Sequence, residues 1–270
     1  MDKTLPRINN TINFVKAIAC VAVVLIHCRF PGAVGALIRT LARFAVPFFT
    51  VISGFYLTKS NSETASVLSL KRKTKHMLKL IIGAELFAFI VLVAGDLILN
   101  HSLNSTLFVY SDPSRWIKFI WDNTPLTYTH FWYLYALLYC YVTALLIVKI
   151  KNKLGGGKQL AIVSSVLVVL FYGMSVMSNL ALPVQFKFSI GREDNISAIY
   201  NLFILRSMPF FLLGIVLRIY DEEIRKSNLL SKKNILMCIL AGGLLSIVER
   251  FVFGDIQIFV GTTLMVVAIF

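Results

Sequence analysis

Residues Ile12 to Cys28 read INFVKAIACVAVVLIHC. The stretch is apolar apart from a few side chains, Lys16 and His27 among them, and it is long enough to cross a bilayer as a helix, which takes about 17 to 25 mostly apolar residues. A secretory signal peptide would end in a small-residue cleavage site, and none precedes Arg29. We therefore interpret Ile12 to Cys28 as a retained first membrane helix.

The composition of the whole chain agrees with this interpretation. Of the 270 residues, 57% are hydrophobic and 15% are charged, and the mean hydropathy is +0.78. These values exclude a disordered chain and a small disulfide scaffold. The net charge of +14 would suggest nucleic-acid binding in a soluble protein, but in a membrane protein basic residues collect on the cytoplasmic side. We expect membrane lipids and no nucleic acid as partners.

Further apolar runs of spanning length follow the first one. We predict an all-α, polytopic helix bundle with about eight transmembrane helices, forming a single integral membrane domain over residues 1–270. The last run begins near Ile256 and continues to Phe270, so we expect the chain to lack a C-terminal portion. The predicted spans after the first are Ile38 to Leu57, Leu78 to Leu99, Phe131 to Ile150, Leu160 to Met177, Tyr200 to Ile219, Ile235 to Phe253 and the run from Ile256.

The distribution of Lys and Arg predicts a cytoplasmic N-terminus. With that orientation, 18 of the 27 basic residues fall on the inner side, as the positive-inside rule requires. We expect a multi-pass protein of the bacterial inner membrane. The inner residues are Lys3, Arg7, Lys16, Lys59, Lys71, Arg72, Lys73, Lys75, Lys79, Lys149, Lys151, Lys153, Lys158, Arg218, Arg225, Lys226, Lys232 and Lys233.

The first helix carries two ionisable groups, Lys16 and His27, eleven residues apart. At about 100° per residue they differ by about 20° in direction, so they share one face and lie about 16 Å apart along the axis. Ionisable groups inside a membrane are costly and often functional. A turn around Pro31 to Gly35 would place Arg39 level with His27 and Arg43 one turn deeper.

The third helix adds two carboxylates, Glu85 near the inner side and Asp96 near the outer side, so we predict two polar layers. Structural alternatives remain open. The lysine can snorkel to the headgroups, the two arginines can pair with Asp96, and the histidine can be a packing residue.

Four segments together resemble the acyltransferase-3 family of integral membrane proteins. These are NFVKAIACVAVVLIH (Asn13–His27), FAVPFFTVISGFYL (Phe44–Leu57), HFWYLYALLYCY (His130–Tyr141) and the Pro-Phe-Phe helix from Met208 to Gly214. The family carries an Arg-x10-His signature on its first helix and typically has about ten helices. Here the arginine position holds Lys16, which keeps the charge and lacks the bidentate fork.

The resemblance implies transfer of an acyl group, usually acetyl, from cytoplasmic acetyl-CoA or another acyl-CoA to a hydroxyl of an extracytoplasmic glycan or lipid-linked sugar. For this reaction we expect His27 to act as general base or acyl carrier, together with Lys16. We expect oxyanion stabilisation by Arg39 and Arg43, donor phosphate binding by Lys16, Lys71, Arg72 and Lys73, and acceptor binding by His130, Trp132 and Glu249.

Two of the acceptor residues have structural alternatives. His130 and Trp132 can belong to an interfacial aromatic belt, and Glu249 can simply anchor its helix. The four histidines show no ligand spacing, so we expect no metal site. The alternative function is small-molecule transport, because the segment Ala42–Phe49 also resembles the membrane domain of vancomycin-resistance serine racemases.

Overall fold

The computed structural model describes residues 10–28, 30–57, 63–121, 123, 125–151, 157–180, 185–188, 192–195, 203–226 and 231–270. Most of these residues are helical. A π-helical turn, Asp96–Asn100, continues the fourth helix, and a 3-10 turn, Thr129–Phe131, precedes the seventh. The α-helices are α1 (Asn10–His27), α2 (Gly32–Ala42), α3 (Ala45–Phe55), α4 (Glu63–Gly95), α5 (Asn104–Ser111), α6 (Pro113–Trp121), α7 (Trp132–Lys151), α8 (Gly157–Leu180), α9 (Phe203–Arg206), α10 (Met208–Ile219), α11 (Asp221–Lys226), α12 (Lys232–Phe253) and α13 (Val260–Ile269).

The predicted all-α class is confirmed, and the described residues add one short β-hairpin to it. Strand β1 (Gln185–Phe188) pairs antiparallel with β2 (Arg192–Asn195) between α8 and α9. Strands of four residues are at the lower limit of what an alternating pattern can reveal in a sequence.

The protein is a multi-pass membrane protein. Four described helical stretches are long and apolar enough to cross a membrane, namely Gly32–Phe55, Val67–Leu99, Ala161–Ser178 and Lys232–Phe253. Shorter apolar helices lie at other predicted spans: Ile12–His27, Trp132–Val148, Met208–Ile219 and Val260–Ile269. The count of eight spans and the cytoplasmic N-terminus remain predictions. Residues 200–202, where we predicted the sixth span to begin, lie outside the described residues.

Two of the spans are broken ahead of a proline. The stretch Gly32–Phe55 is interrupted between α2 and α3 at Arg43, four residues before Pro47. Proline has no N–H to donate to the carbonyl four residues back, and its ring crowds that carbonyl. A second break, between α9 and α10 at Ser207, lies two residues before Pro209.

Helix α4 is longer than the sequence predicted. It runs for 33 residues from Glu63 to Gly95, whereas the predicted span began at Leu78. The apolar run does begin there, but a helix continues through the basic residues before it because Lys and Arg are good helix formers.

The chain divides into two compact units, Met1–Ser53 with Tyr220–Phe270, and Gly54–Ile219. In the first unit, α1 packs on α2, α2 on α12, and α12 on α13. A Cβ on Gly242 would lie 2.6 Å from the carbonyl oxygen of Gly261, so α12 and α13 touch through their backbones. Small residues permit such close approach of membrane helices.

In the second unit, α4 packs against α7 and α8 against α10. The buried core lies among these helices, and Gly54 at the end of α3 rests on the backbone of α10. A Cβ on Gly54 would overlap the carbonyl oxygen of Phe211. The fully or nearly fully buried core residues include Leu70, Met77, Tyr135, Cys140, Phe211, Leu212 and Ile215.

Candidate active site

Helix α1 presents Lys16 and His27 on one face, as predicted. It is a single unbroken helix of 18 residues, so the helical spacing holds over the eleven residues between the two groups and separates them by about 16 Å. His27 is the last residue of the helix and is exposed, while Lys16 is half-buried. His27 therefore lies at the end of α1, and Lys16 lies within the helix, more than one turn from either end.

The turn after α1 is tighter than predicted. Helix α2 already begins at Gly32, within the segment that we expected to be the turn. Arg39 is then about 10 Å along α2 from its start, at ~1.5 Å per residue. That Arg39 lies level with His27 remains a prediction.

Arg43, at the break between α2 and α3, belongs to a charged cluster of the first unit. Its Nη2 donates to Oδ1 of Asp255 at 2.8 Å, and Arg250 at the end of α12 pairs with the same oxygen. The Arg43 guanidinium carbon also lies 5.4 Å from the centre of the Phe259 ring. Two arginines thus share one carboxylate.

Sequence reasoning missed Asp255. It offered Asp96 as the structural partner of the arginines, but Asp96 accepts hydrogen bonds from the backbone N–H and the hydroxyl of Thr106 at the start of α5. One signal was available, since Asp255 is the only carboxylate between the seventh and eighth predicted spans. Nε of Arg39 is buried and has no hydrogen-bond partner among the described residues.

Glu249 anchors the last described helix. Its two carboxylate oxygens accept the backbone N–H groups of Val260 and Gly261, each at 3.0 Å. These donors belong to the first turn of α13, where N–H groups have no partner within the helix. The anchoring alternative is therefore what the structure shows, and an acceptor-binding role for Glu249 remains a prediction.

The residues predicted to bind the donor lie on α4 in the second unit. Lys71 and Arg72 are exposed, whereas Lys73 is half-buried. The Lys73 ammonium group donates to the backbone carbonyl of Tyr56 at 3.1 Å. Lys71 and Arg72 can therefore meet a phosphate directly, while Lys73 also holds the end of the preceding segment in place.

Trp132 and His130 lie at the start of α7, as predicted. His130 is exposed on the short turn before the helix, and Trp132 is half-buried. The Arg206 guanidinium carbon lies 3.3 Å from the centre of the Trp132 ring, a cation–π contact. The structure thus gives Arg206 a partner that the sequence could not name.

Glu85 on α4 lies among hydroxyl groups. Thr127 Oγ1 donates to Oε2 of Glu85 at 2.9 Å, and the Tyr135 hydroxyl donates to Oε1. Thr127 comes from the connection predicted on the outer side, and Tyr135 from the first turn of α7. The hydrogen bond from Thr127 places Glu85 next to that connection, whereas we predicted Glu85 nearer the opposite, inner side.

Comparison with known families identifies the family of this chain. The family model Acyl_transf_3, described as "Acyltransferase domain", matches residues 9–270. The chain belongs to this family. Comparison with curated proteins and with solved structures gives no significant match.

The two units of this acyltransferase chain each carry polar groups that can be described separately. The first unit has an imidazole at His27 and the ion pairs of Arg43 and Arg250 with Asp255, and the second unit has exposed basic residues on α4 and the hydroxyl-bonded Glu85. Among the residues that the structure describes, no three His, Cys, Asp or Glu side chains are grouped so that they could hold a metal ion.

Proposed function

We propose that this membrane acyltransferase moves an acyl group, acetyl in the simplest case, from cytoplasmic acyl-CoA to a hydroxyl of an extracytoplasmic glycan or lipid-linked sugar. We place it in the bacterial inner membrane and assign its product to O-acetylated polysaccharide of the cell envelope. The observation that supports this most directly is the family match over residues 9–270, with Lys16 and His27 on one face of an unbroken α1.

His27 acts as the general base in this proposal. The acceptor oxygen attacks the thioester carbonyl carbon, and the hydroxyl proton passes to the imidazole. The carbon–sulfur bond breaks, and the CoA thiolate takes the proton, so that the histidine is regenerated. Alternatively His27 carries the acyl group transiently between donor and acceptor. Its exposure at the end of α1 supports access by a substrate in either case.

The arginines supply positive charge for the oxyanion of the tetrahedral intermediate. Arg43 is held by Asp255, which also pairs with Arg250, so its guanidinium group is oriented before the substrate arrives. Arg39 contributes a second guanidinium group on the same helix. Lys16, Lys71, Arg72 and Lys73 attract the phosphates of the donor, the lysines as point charges.

His130 and Trp132 are the proposed contacts for the acceptor. Trp132 offers an aromatic surface at the start of α7, where Arg206 already lies on its ring. Glu249 is a weaker candidate, since both of its oxygens accept backbone N–H groups of α13.

The test uses the purified protein in vesicles with labelled acetyl-CoA on the side that corresponds to the cytoplasm. We expect His27→Ala to lower transfer to an added glycan by about 100-fold or more, the usual contribution of a general base, and Lys16→Arg to retain it. His101→Asn is the matched control, because His101 is exposed and its left-handed backbone suits asparagine. Equal transfer by wild type and His27→Ala would disprove the assignment.

Transport is the second candidate function, and one observation favours it. Transporters place substrates at membrane helices that are discontinuous, and two spans of this chain are broken, at Arg43 and at Ser207. The same vesicles distinguish the candidates. Uptake of labelled serine without cleavage of acetyl-CoA would support transport, and cleavage of acetyl-CoA without uptake would support transfer.

A further inference from the structure

Glu85 is a carboxylate within an apolar part of α4, and hydroxyl groups are its partners. Thr127 and Tyr135 each donate to one of its oxygens. Among the residues that the structure describes, no lysine or arginine forms an ion pair with it. A carboxylate at the centre of a membrane helix costs at least about 2.5 to 3.5 kcal/mol, so a neutral residue would fasten Thr127 and Tyr135 to α4 at lower cost.

The carboxylate keeps capacity for further hydrogen bonds. Two carboxylate oxygens offer about four lone-pair sites, and Thr127 and Tyr135 occupy two of them. Glu85 is only partly buried, and no other described residue donates a hydrogen bond to it. The two remaining lone-pair sites can therefore accept from hydroxyl or amide donors of a ligand.

Glu85 and Tyr135 lie toward the ends of α4 and α7 that face the connection between these helices. Glu85 is ten residues, about 15 Å, before the end of α4 at Gly95, and Tyr135 is in the first turn of α7. Thr127, which donates to Glu85, belongs to that connection.

Aromatic side chains surround the carboxylate. The Tyr135 ring packs edge-on against Phe119, with ring centres 4.8 Å apart. The Tyr110 ring packs against Phe89, one helical turn from Glu85 on α4, with ring centres 5.6 Å apart, and burial raises the pKa of Tyr110, with a further increase from the Glu85 carboxylate. Sites for small ligands combine such apolar and aromatic walls with a few polar groups that converge on one point.

We propose that Glu85, Tyr110 and Tyr135, together called the hydroxyl cluster, bind the hydroxyl groups of a neutral polyol. In the reaction under "Proposed function", on which this inference rests, the polyol is the sugar ring of the acceptor. The carboxylate accepts hydrogen bonds from sugar hydroxyls, and the tyrosines can both donate and accept. A phosphate or carboxylate group would be repelled by Glu85, so the anionic part of a lipid-linked sugar must lie elsewhere.

A purely structural role makes a different prediction. If Glu85 only fastens residues 125–128 to α4, then losing either hydroxyl partner should lower stability and leave sugar binding alone. Glu85→Gln separates the two roles, because the amide oxygen can still accept one hydrogen bond while the charge is lost. Thr127→Val is the matched variant, since it removes the fastening hydrogen bond and keeps the carboxylate.

The experiment measures binding of radiolabelled octyl glucoside, below its micellar concentration, to the full chain in lipid nanodiscs, with empty nanodiscs as background. Octyl glucose 6-phosphate serves as the anionic comparison. We expect wild type to prefer the neutral probe and Glu85→Gln to bind it about 10-fold more weakly, with Thr127→Val at least 3-fold tighter than Glu85→Gln. Thermal midpoints of the same samples show whether each variant is folded.

Equal binding by wild type and folded Glu85→Gln would overturn the proposal, and so would a preference for the phosphorylated probe. Cleavage of acetyl-CoA is measured separately in these samples. If wild type binds octyl glucoside through Glu85 but does not cleave acetyl-CoA, the proposed function fails while the hydroxyl cluster stands. If it cleaves acetyl-CoA but Glu85→Gln binds and uses sugar normally, only the hydroxyl cluster fails.

Discussion

Replacing Glu249 by glutamine removes one charge and keeps the size of the side chain. In the structure this carboxylate is 9% exposed, and its two oxygens accept the N–H groups of Val260 and Gly261 at 3.0 Å. Glutamine offers one oxygen, and its NH2 group would face the other backbone N–H. The substitution therefore exchanges two charge-assisted hydrogen bonds for one neutral bond and leaves one donor without a partner.

The size of the effect follows from these bonds. Hydrogen bonds to a charged group contribute about 1.5 to 3 kcal/mol each and neutral ones about 0.5 to 1.5 kcal/mol. Exchanging two of the first kind for one of the second lowers the free energy of unfolding by about 1.5 to 5.5 kcal/mol. For a chain of this size that corresponds to a fall of about 5 °C or more in the thermal midpoint.

The assay is thermal unfolding of the purified protein in detergent micelles, followed by acceptor KM on the fraction that remains folded. Glu222→Gln is the control, because Glu222 is an exposed glutamate of α11 and should leave the midpoint unchanged. We expect Glu249→Gln to lower the midpoint and leave the acceptor KM of the folded protein alone. An unchanged midpoint with a raised acceptor KM would refute the anchoring role and restore acceptor binding.

Two further predictions concern packing and charge. Gly54→Ala should lower the free energy of unfolding by about 1 to 3 kcal/mol, as overpacking does, because the new Cβ overlaps the Phe211 carbonyl. Gly173→Ala is the control in the same unfolding assay. It should be neutral or stabilising, because nothing lies within 4 Å of the new Cβ. Asp255→Asn should cost about 1 kcal/mol, since Asp255 is 50% exposed and solvent screens the pairs. Adding Arg250→Gln should recover part of that cost in a double-mutant cycle, and strictly additive effects would show that the two residues do not interact.

The sequence predicted what depends on local repetition. An apolar run of spanning length identifies a membrane helix, and a spacing of eleven residues places Lys16 and His27 on one face. The first conclusion holds for the four stretches that are long and apolar enough to cross a membrane, and the second holds because α1 is one unbroken helix. The level of Arg39 relative to His27 also depends on the length of a turn, and each residue of error in a turn moves a side chain by about 1.5 Å.

The partners of the polar groups could not be predicted in the same way. Arg43 pairs with Asp255, 212 residues further along the chain, and no periodic pattern connects them. Glu85 was assigned to the inner side from its position in an apolar run, whereas it accepts a hydrogen bond from Thr127 in the connection that we predicted on the outer side. In both cases the missing information was the path of a connection between helices.

The length of α4 affects how the protein responds to its lipid surroundings. Thirty-three residues make a rod of about 50 Å, and even the steepest usual tilt, about 40°, leaves it taller than a hydrocarbon layer of about 30 Å. Part of the rod must therefore protrude into water. A thicker bilayer would cover more of α4, until the basic residues from Lys71 to Lys79 reach the lipid headgroups. Beyond that point a further increase in thickness would place charged side chains in the hydrocarbon layer, which is costly.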